Sequence, residues 1–409
     1  MATIKAFKAL RPKKEFASQI AALPYDIFTT EEAREEINKN QLSFLKVDLP
    51  LASLEQNKNY TDKEINQKAK ENLDQMLDQG YFYQEDEDCL YLYNLNFRGK
   101  DQAGLIASCS IDEYINDTIK KHEKTLLAKQ KDRTEHIDIL DANTGPIFLT
   151  YSSNDKIKNL IAGLKKSDPE IEFTSPDGVK HSIWTIRDQE IIKNLVKEFE
   201  KINNFYIADG HHRSASAVQV AKKRRLENPN YKGDEEFNYF LSMLVDKDEI
   251  QIYDYNRLVK DLNNLSEEEF LEKLKEDFDL EKLDKIYKPA KKGEFTLFIG
   301  DSHYKMTYKN KRQGLVENLD VSILQDLVLD KILGIKDPRK DKRIDFVGGI
   351  RGLDELERRV RKDMAIAFAL YPTSLDELIQ IADQNKNMPP KSTWFEPKPR
   401  SGLFIHKLK

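Results

Sequence analysis

The sequence predicts an α/β protein, with α and β segments feeding a mixed sheet, built in two parts. Strand-type and helix-type patterns alternate along the chain, and two hairpin patterns lie among the helices. An apolar run, Phe205–Ala208, ends at Asp209-Gly210 and is followed at once by a polar step and a helix of small residues. The length of 409 residues exceeds one typical domain. A hydrophobic content of 39%, with 17 Tyr and 20 Phe, is enough for a packed core.

Tyr25–Ala33 reads as a strand end followed by a helix start, with Thr29 or Thr30 as cap and acidic residues in the first turn. Lys63–Gly80 has helical spacing through Ile65, Ala69, Leu73 and Met76, with Gly80 as a stop. Leu90–Phe97 and Ala103–Ile111 flank a turn at Arg98–Gln102 and read as a hairpin. A polar stretch, 119–136, leads through a helix to an apolar strand opened by Pro146. Ile171–Arg187 forms a second hairpin around Ser175–Gly178, and Asp188–Lys201 an amphipathic helix. The strand Phe205–Ala208, the polar turn and a helix opening at Ser214 come next, then two strands within Phe237–Leu258.

Asn263-Asn264 precede a helix capped at Ser266, which suggests domains at 1–262 and 263–409. The second part reads as helix, weak strands (294–308), helix (321–333), a glycine-rich turn (345–352), a charged helix (353–361), a strand (364–370) and a helix from Ser374. The tail from Met388 is rich in proline yet carries Trp394-Phe395 and Leu403-Phe-Ile405, so it is expected to be an ordered strap.

A net charge of −5 with both signs interspersed argues against a dedicated nucleic-acid binder. The run Lys222-Lys-Arg-Arg225 is read as a solvated face. Cys89 and Cys109 give neither a disulfide framework nor zinc-type spacing. The N-terminus lacks a signal-peptide core and no run of 18 apolar residues exists, so a cytoplasmic protein without membrane association is expected.

The candidate site is Asp209-Gly-His-His-Arg-Ser214. Free N–H groups and a positive dipole at a helix start favour anions. Gly210 permits close backbone approach, and Arg213 offers a planar fork for phosphate oxygens. Asp209 adds one carboxylate for a metal or a proton. A plain tight turn is the alternative, but two of only seven histidines sit here. A second polar group comprises His122, Glu123, Arg133 and His136: a general base, with Arg133 and His136 binding a further anion, and a solvated helix face of mixed charge fit it equally. Its spacing does not match a zinc peptidase. Gly348, Gly349 and Arg351 could cradle a further anion, although a tight packing turn fits them equally. His181, His303 and His406 are read as structural.

Over nearly its full length the chain resembles the family called domain of unknown function 1015. The resemblance rests on Phe7–Arg11, Leu23-Pro-Tyr-Asp26, Lys121-His-Glu123, Tyr206–Ala215, Lys342–Gly349 and Pro389–Pro397. The local box Asp209-Gly-His-His-Arg213 is similar to the phosphate-binding box of the ParB/sulfiredoxin superfamily, above all to its free-serine kinases. That likeness implies a ParB/sulfiredoxin-like nucleotide-binding core with a second, C-terminal α/β domain. It implies that Gly210, His211, His212, Arg213 and Ser214 hold nucleotide phosphates, with Asp209 beside the transferred group or its Mg²⁺. Glu123, with His122, is the candidate base. No cysteine stands in the box, which excludes sulfinic-acid repair, and no DNA-binding helix-turn-helix is evident.

The resulting expectation is a small-molecule kinase acting on a hydroxyl such as that of free L-serine, with ATP, ADP or pyrophosphate as donor. A nucleotide-dependent phosphohydrolase and a non-catalytic nucleotide sensor are the alternatives. The sequence leaves the oligomeric state open.

Overall fold

The computed structural model describes residues 2–409. The chain forms two compact units: residues up to Ile250 together with Pro397–Lys409, and Gln251–Glu396. The tail from Met388 is divided: Trp394–Phe395 pairs with Ile252–Tyr253 in the second unit, whereas Pro397–Lys409 belongs with the first, where His406–Lys407 pairs with Ala142–Asn143 and Leu10 and Ile405 exchange backbone hydrogen bonds. The division therefore falls at 250 and 397, where the sequence suggests a single boundary at 262.

Nine strands make the sheet of the first unit: β1 (Ile4–Lys5), β2 (Leu90–Phe97), β3 (Lys100–Ser110), β4 (Ile119–Lys120), β5 (Ile147–Tyr151), β6 (Ile171–Thr174), β7 (Lys180–Ile186), β8 (Phe205–Asp209) and β9 (Tyr239–Asp246). Their spatial order is β4-β8-β5-β9-β3-β2-β7-β6, with β1 added beside β3. The pairs β4/β8 and β5/β9 are parallel and the others antiparallel, so the sheet is mixed, as the sequence predicts. The β2/β3 hairpin closes on Arg98-Gly99, both at positive φ (51° and 78°), which matches the right-handed strand twist. Leu105, Leu149, Ile207 and Leu244 are fully buried in the core. Each such side chain contributes about 1.5–3 kcal/mol relative to exposure.

Helix α1 (Thr30–Lys39) starts with a capping box between Thr29 and Glu32, and α2 (Asp62–Asp78) with one between Thr61 and Glu64. The expected strand end at Tyr25 is instead a 3₁₀ turn, Tyr25–Ile27, that follows Pro24. Helix α3 (Leu127–Leu140) packs against α4 (His211–Glu227). The buried face of α4 is mostly small (Ser214, Ala215, Ser216, Ala217, Ala221), which lets the helix approach closely. Ser216 uses its hydroxyl to donate to the Gln130 carbonyl across that contact (2.9 Å). Arg224 and Arg225 of the basic run pair with Asp138, Asp141 and Asp112. Cys89 and Cys109 are buried free thiols. No described helix is long and apolar enough to cross a membrane.

The second unit holds a wholly antiparallel six-stranded sheet: β10 (Tyr255–Val259), β11 (Phe278–Leu283), β12 (Glu294–Ile299), β13 (Ser302–Tyr308), β14 (Ile344–Gly348) and β15 (Ile366–Leu370). Their order is β11-β13-β12-β15-β10-β14. The helix expected over 321–333 is α-helical only at Asp320–Leu324 and continues as a π-helix over Gln325–Asp330.

Asp320 opens that helix. Burial pushes its carboxyl up to about 7, although both oxygens accept from Gly293 N (2.9 and 3.1 Å). The folded state therefore binds a proton that the unfolded chain releases near pH 3.8. Stability from this group is greatest below that value, falls as pH rises towards 7, and levels off above it. Ionising Asp320 costs up to about 4 kcal/mol at pH 8. Asp320→Asn is expected to raise the melting temperature at pH 8, with the gain shrinking as the pH falls and vanishing only below about 3.8. Thermal melts of both proteins across that range check this, and a pH-independent difference would refute it.

Candidate functional site

The site grows from the end of β8. Between Ile207 and Asp209 the pairing with β5 slips by one residue, a bulge of the kind that re-aims side chains near functional centres. Gly210 then takes φ 97°, ψ 27°, a conformation open to glycine at little cost, and caps α4 without any side-chain hydrogen bond. The helix begins at His211, three residues before the position suggested by its small-residue pattern. His211, His212 and Arg213 are thus its first turn, the part whose N–H groups lack acceptors within a helix.

Arg213 folds back over Gly210. Its Nη2 lies 3.1 Å from where a Cβ on that glycine would stand. Its Nη1 donates to the Pro146 carbonyl (2.9 Å), and its Nη2 is 3.6 Å from Asp209 Oδ2. Lys398 Nζ reaches the same oxygen from the tail at 3.2 Å. Two cations, exposed by only 13% and 10% of their side chains, therefore share one carboxylate at an uncapped helix amino end. Burial alone would raise the Asp209 carboxyl, but Lys398, then Arg213, hold it well below the usual carboxylate range.

The histidines act differently from the sequence expectation. His211 Nε2 accepts from His122 N (3.5 Å), and His212 Nε2 accepts from Leu126 N (3.1 Å). Both rings thereby tie the 122–126 segment to α4. Burial lowers His211 to about 4 and also holds His122 far below the ordinary imidazole value, so both are neutral at pH 7. Their rings meet edge to face at 4.4 Å, and His122 Nδ1 is buried without a partner among the described residues. Glu123, 42% exposed, brings Oε2 to 3.9 Å from His211 Nδ1. Ser214 is fully buried and its hydroxyl donates to the His211 carbonyl, so it faces the helix rather than an anion.

Arg133 and His136 line a narrow cleft together with Arg213, Tyr25, Asp48 and Gly145. Arg133 lies over the Tyr25 ring (4.3 Å) and donates to the Asp48 carbonyl (2.9 Å). His136 Nδ1 meets Asn66 Oδ1 (3.2 Å), while its Nε2 stands 4.0 Å from Asp48 Oδ1. Asp48 is buried, which raises its carboxyl against hydrogen bonds from Ser401 and Thr144. Burial likewise pushes Tyr25 up to about 12. A side chain at Gly145 would strike Ser401 Oγ (2.7 Å) and Arg213 Nη1 (3.1 Å). The cleft holds about 20 Å³, roughly one water.

Tyr25, Asp48, Gly145 and Lys398 are members of this site that the sequence reading did not select. Tyr25 and Lys398 lie in or beside the Leu23–Asp26 and Pro389–Pro397 stretches, and a lone acid at Asp48 in an apolar segment was a further clue.

The glycine-rich turn is in the second unit. The Cβ position at Gly348 is filled by the Trp394 indole (2.6 Å), and that at Gly349 by the Asp254 carboxylate, an anion itself. Both glycines therefore serve close packing, while Arg351 is exposed. No described group of three His, Cys, Asp or Glu side chains is arranged to hold a metal ion.

Residues 4–322 match the family described as Protein of unknown function (DUF1015). The chain belongs to the DUF1015 family. No curated protein matches it. Similar solved structures include a free serine kinase in complex with AMP, at 16% identity and a TM-score of 0.37 over 73% of this chain and 90% of that one. SbnI with C-terminal truncation from Staphylococcus aureus is another, at 12% identity and a TM-score of 0.38 over 72% of this chain and 84% of that one.

Proposed function

We propose that this DUF1015 protein binds a nucleotide phosphate at the amino end of α4 and is a small-molecule kinase. ATP, ADP or pyrophosphate is the donor, and a hydroxylated metabolite such as free L-serine is the acceptor. The observation that carries this reading is the convergence of Arg213 and Lys398 with Asp209 on the uncapped, glycine-led start of a 17-residue helix. Phosphoryl transfer is largely positioning and charge stabilisation, which such a cradle supplies.

In this scheme the first-turn N–H groups and Arg213 hold donor phosphates, and Lys398 offsets Asp209. Arg213 lifts from Gly210 to admit the phosphate, since the cleft it helps to close holds about one water in this structure. The acceptor oxygen bonds to phosphorus as the donor's bridging P–O bond breaks. The acceptor proton passes to Glu123, and the leaving phosphate keeps the electron pair. His211 and His212 hold the loop that carries Glu123. Mg²⁺ usually keeps several waters and takes one or two carboxylates plus substrate phosphates, so Asp209 alone is compatible with it. When bound, the ion would neutralise phosphate charge.

Purified protein with Mg²⁺ would receive each donor with and without L-serine and other hydroxylated metabolites, with products read by mass spectrometry. An acceptor-dependent phosphorylated product is expected, and Glu123→Gln should reduce its formation by about 100-fold or more. Donor hydrolysis without an acceptor would replace the kinase reading by a phosphohydrolase. Nucleotide binding without turnover would replace it by a sensor.

A further inference from the structure

The second unit carries a separate feature that the phosphate site does not explain. Arg257 sits on β10, between β14 and β15, opposite Phe346 and Phe368. It is 4% exposed, and no described carboxylate lies within ion-pair distance of it. Its Nη1 donates to the Tyr255 carbonyl and its Nη2 to the Lys391 carbonyl (3.0 Å); Nε has no described partner. The guanidinium lies 5.6 Å from the Phe346 ring centre. Burial draws its pKa down to about 10, so it keeps its charge at neutral pH. A buried charge without a counter-charge is costly, and two carbonyl dipoles offset only part of that cost.

Arg257 forms part of the wall of a cavity of about 320 Å³, within the size range of small-molecule sites. Phe346 and Pro338, Pro389 and Pro390 supply apolar walls. Lys336 adds a second cation with no described carboxylate partner, whereas the nearby Arg339 is held by Asp337. Gln325, the first residue of the π-helix, completes the polar side and donates to the Ile335 carbonyl (2.8 Å). Deviations of this kind in a helix often accompany ligand sites.

We propose that this cavity binds a small organic anion, a carboxylate or phosphate on a flat apolar body, with Arg257 and Lys336 taking the charge and the proline and Phe346 walls the apolar face. The site stands independently of the kinase reading.

The test titrates the full chain calorimetrically with benzoate and with phenyl phosphate, using phenol as the neutral control. At least one anion is expected to bind saturably below about 10 mM, with phenol at least about tenfold weaker. The two probes separate the sources: benzoate binding points to a carboxylate ligand, phenyl phosphate binding to a phosphate ester. Lys336→Ala, at an exposed position, should weaken binding at least about threefold, and Arg257→Gln should abolish it. Arg213→Ala should leave it unchanged, because that residue belongs to the other unit. Three results would overturn the proposal: no saturable binding of either anion, equal binding of phenol, or affinity unaltered in Lys336→Ala but lost in Arg213→Ala.

Discussion

Replacing Arg213 by alanine is expected to reduce phosphoryl transfer by about 1,000-fold or more while leaving the protein folded. Arginines that meet the charge of a transferring phosphoryl group have effects of that order. The structural cost is smaller. The side chain makes one hydrogen bond, to the Pro146 carbonyl, and shares Asp209 with Lys398, which remains to neutralise it. A loss of about 1–2 kcal/mol of stability is expected. Arg213→Lys should recover only part of the activity, since an ammonium keeps the charge but not the planar fork. Initial rates and thermal melts of the three proteins check this. Alanine and wild-type rates within threefold would remove Arg213 from the site.

Asp209→Asn has a different signature, because binding and transfer should separate. The carboxylate partly neutralises Arg213 and Lys398, so removing its charge leaves the helix start more positive. Nucleotide affinity measured without Mg²⁺ should hold or increase. Transfer with Mg²⁺ should fall by about 100-fold or more, through the loss of the carboxylate beside the transferred group. A parallel loss of affinity and rate would show that Asp209 maintains the site rather than serving the reaction. The comparison needs a folded variant, which a melting curve establishes.

The parts of this site that were legible in the sequence are local. An apolar strand, a glycine and a basic step stand side by side, and their backbone geometry is set by neighbours in the chain. Helix α4 starts three residues before its small-residue pattern because its first turn is the bulky polar step His211–Arg213, in which His211 is already buried. Long-range members were not legible. Lys398 reaches Asp209 across 189 residues, and Asp48 meets Thr144 across 96. Nothing near either residue in the chain encodes its partner. Residue type also misleads when chemistry and packing use the same vocabulary. Gly348-Gly349 look like an anion cradle, yet an indole and a carboxylate fill the space that an anion would need. The two box histidines look like phosphate ligands, yet their Nε2 atoms accept backbone N–H groups of the 122–126 segment. Apolar runs mark the central strands Ile147–Tyr151 and Phe205–Asp209, while the return of the tail to the first unit depends on β-pairing between Ala142–Asn143 and His406–Lys407.

The most direct test of the central claim is calorimetric titration of the wild-type protein and Arg213→Ala with ADP. Saturable binding to the wild type, lost or weakened at least about tenfold in the variant, is the expected result. Equal affinity in two folded proteins, or no binding to the wild type, would contradict a nucleotide phosphate site at the start of α4.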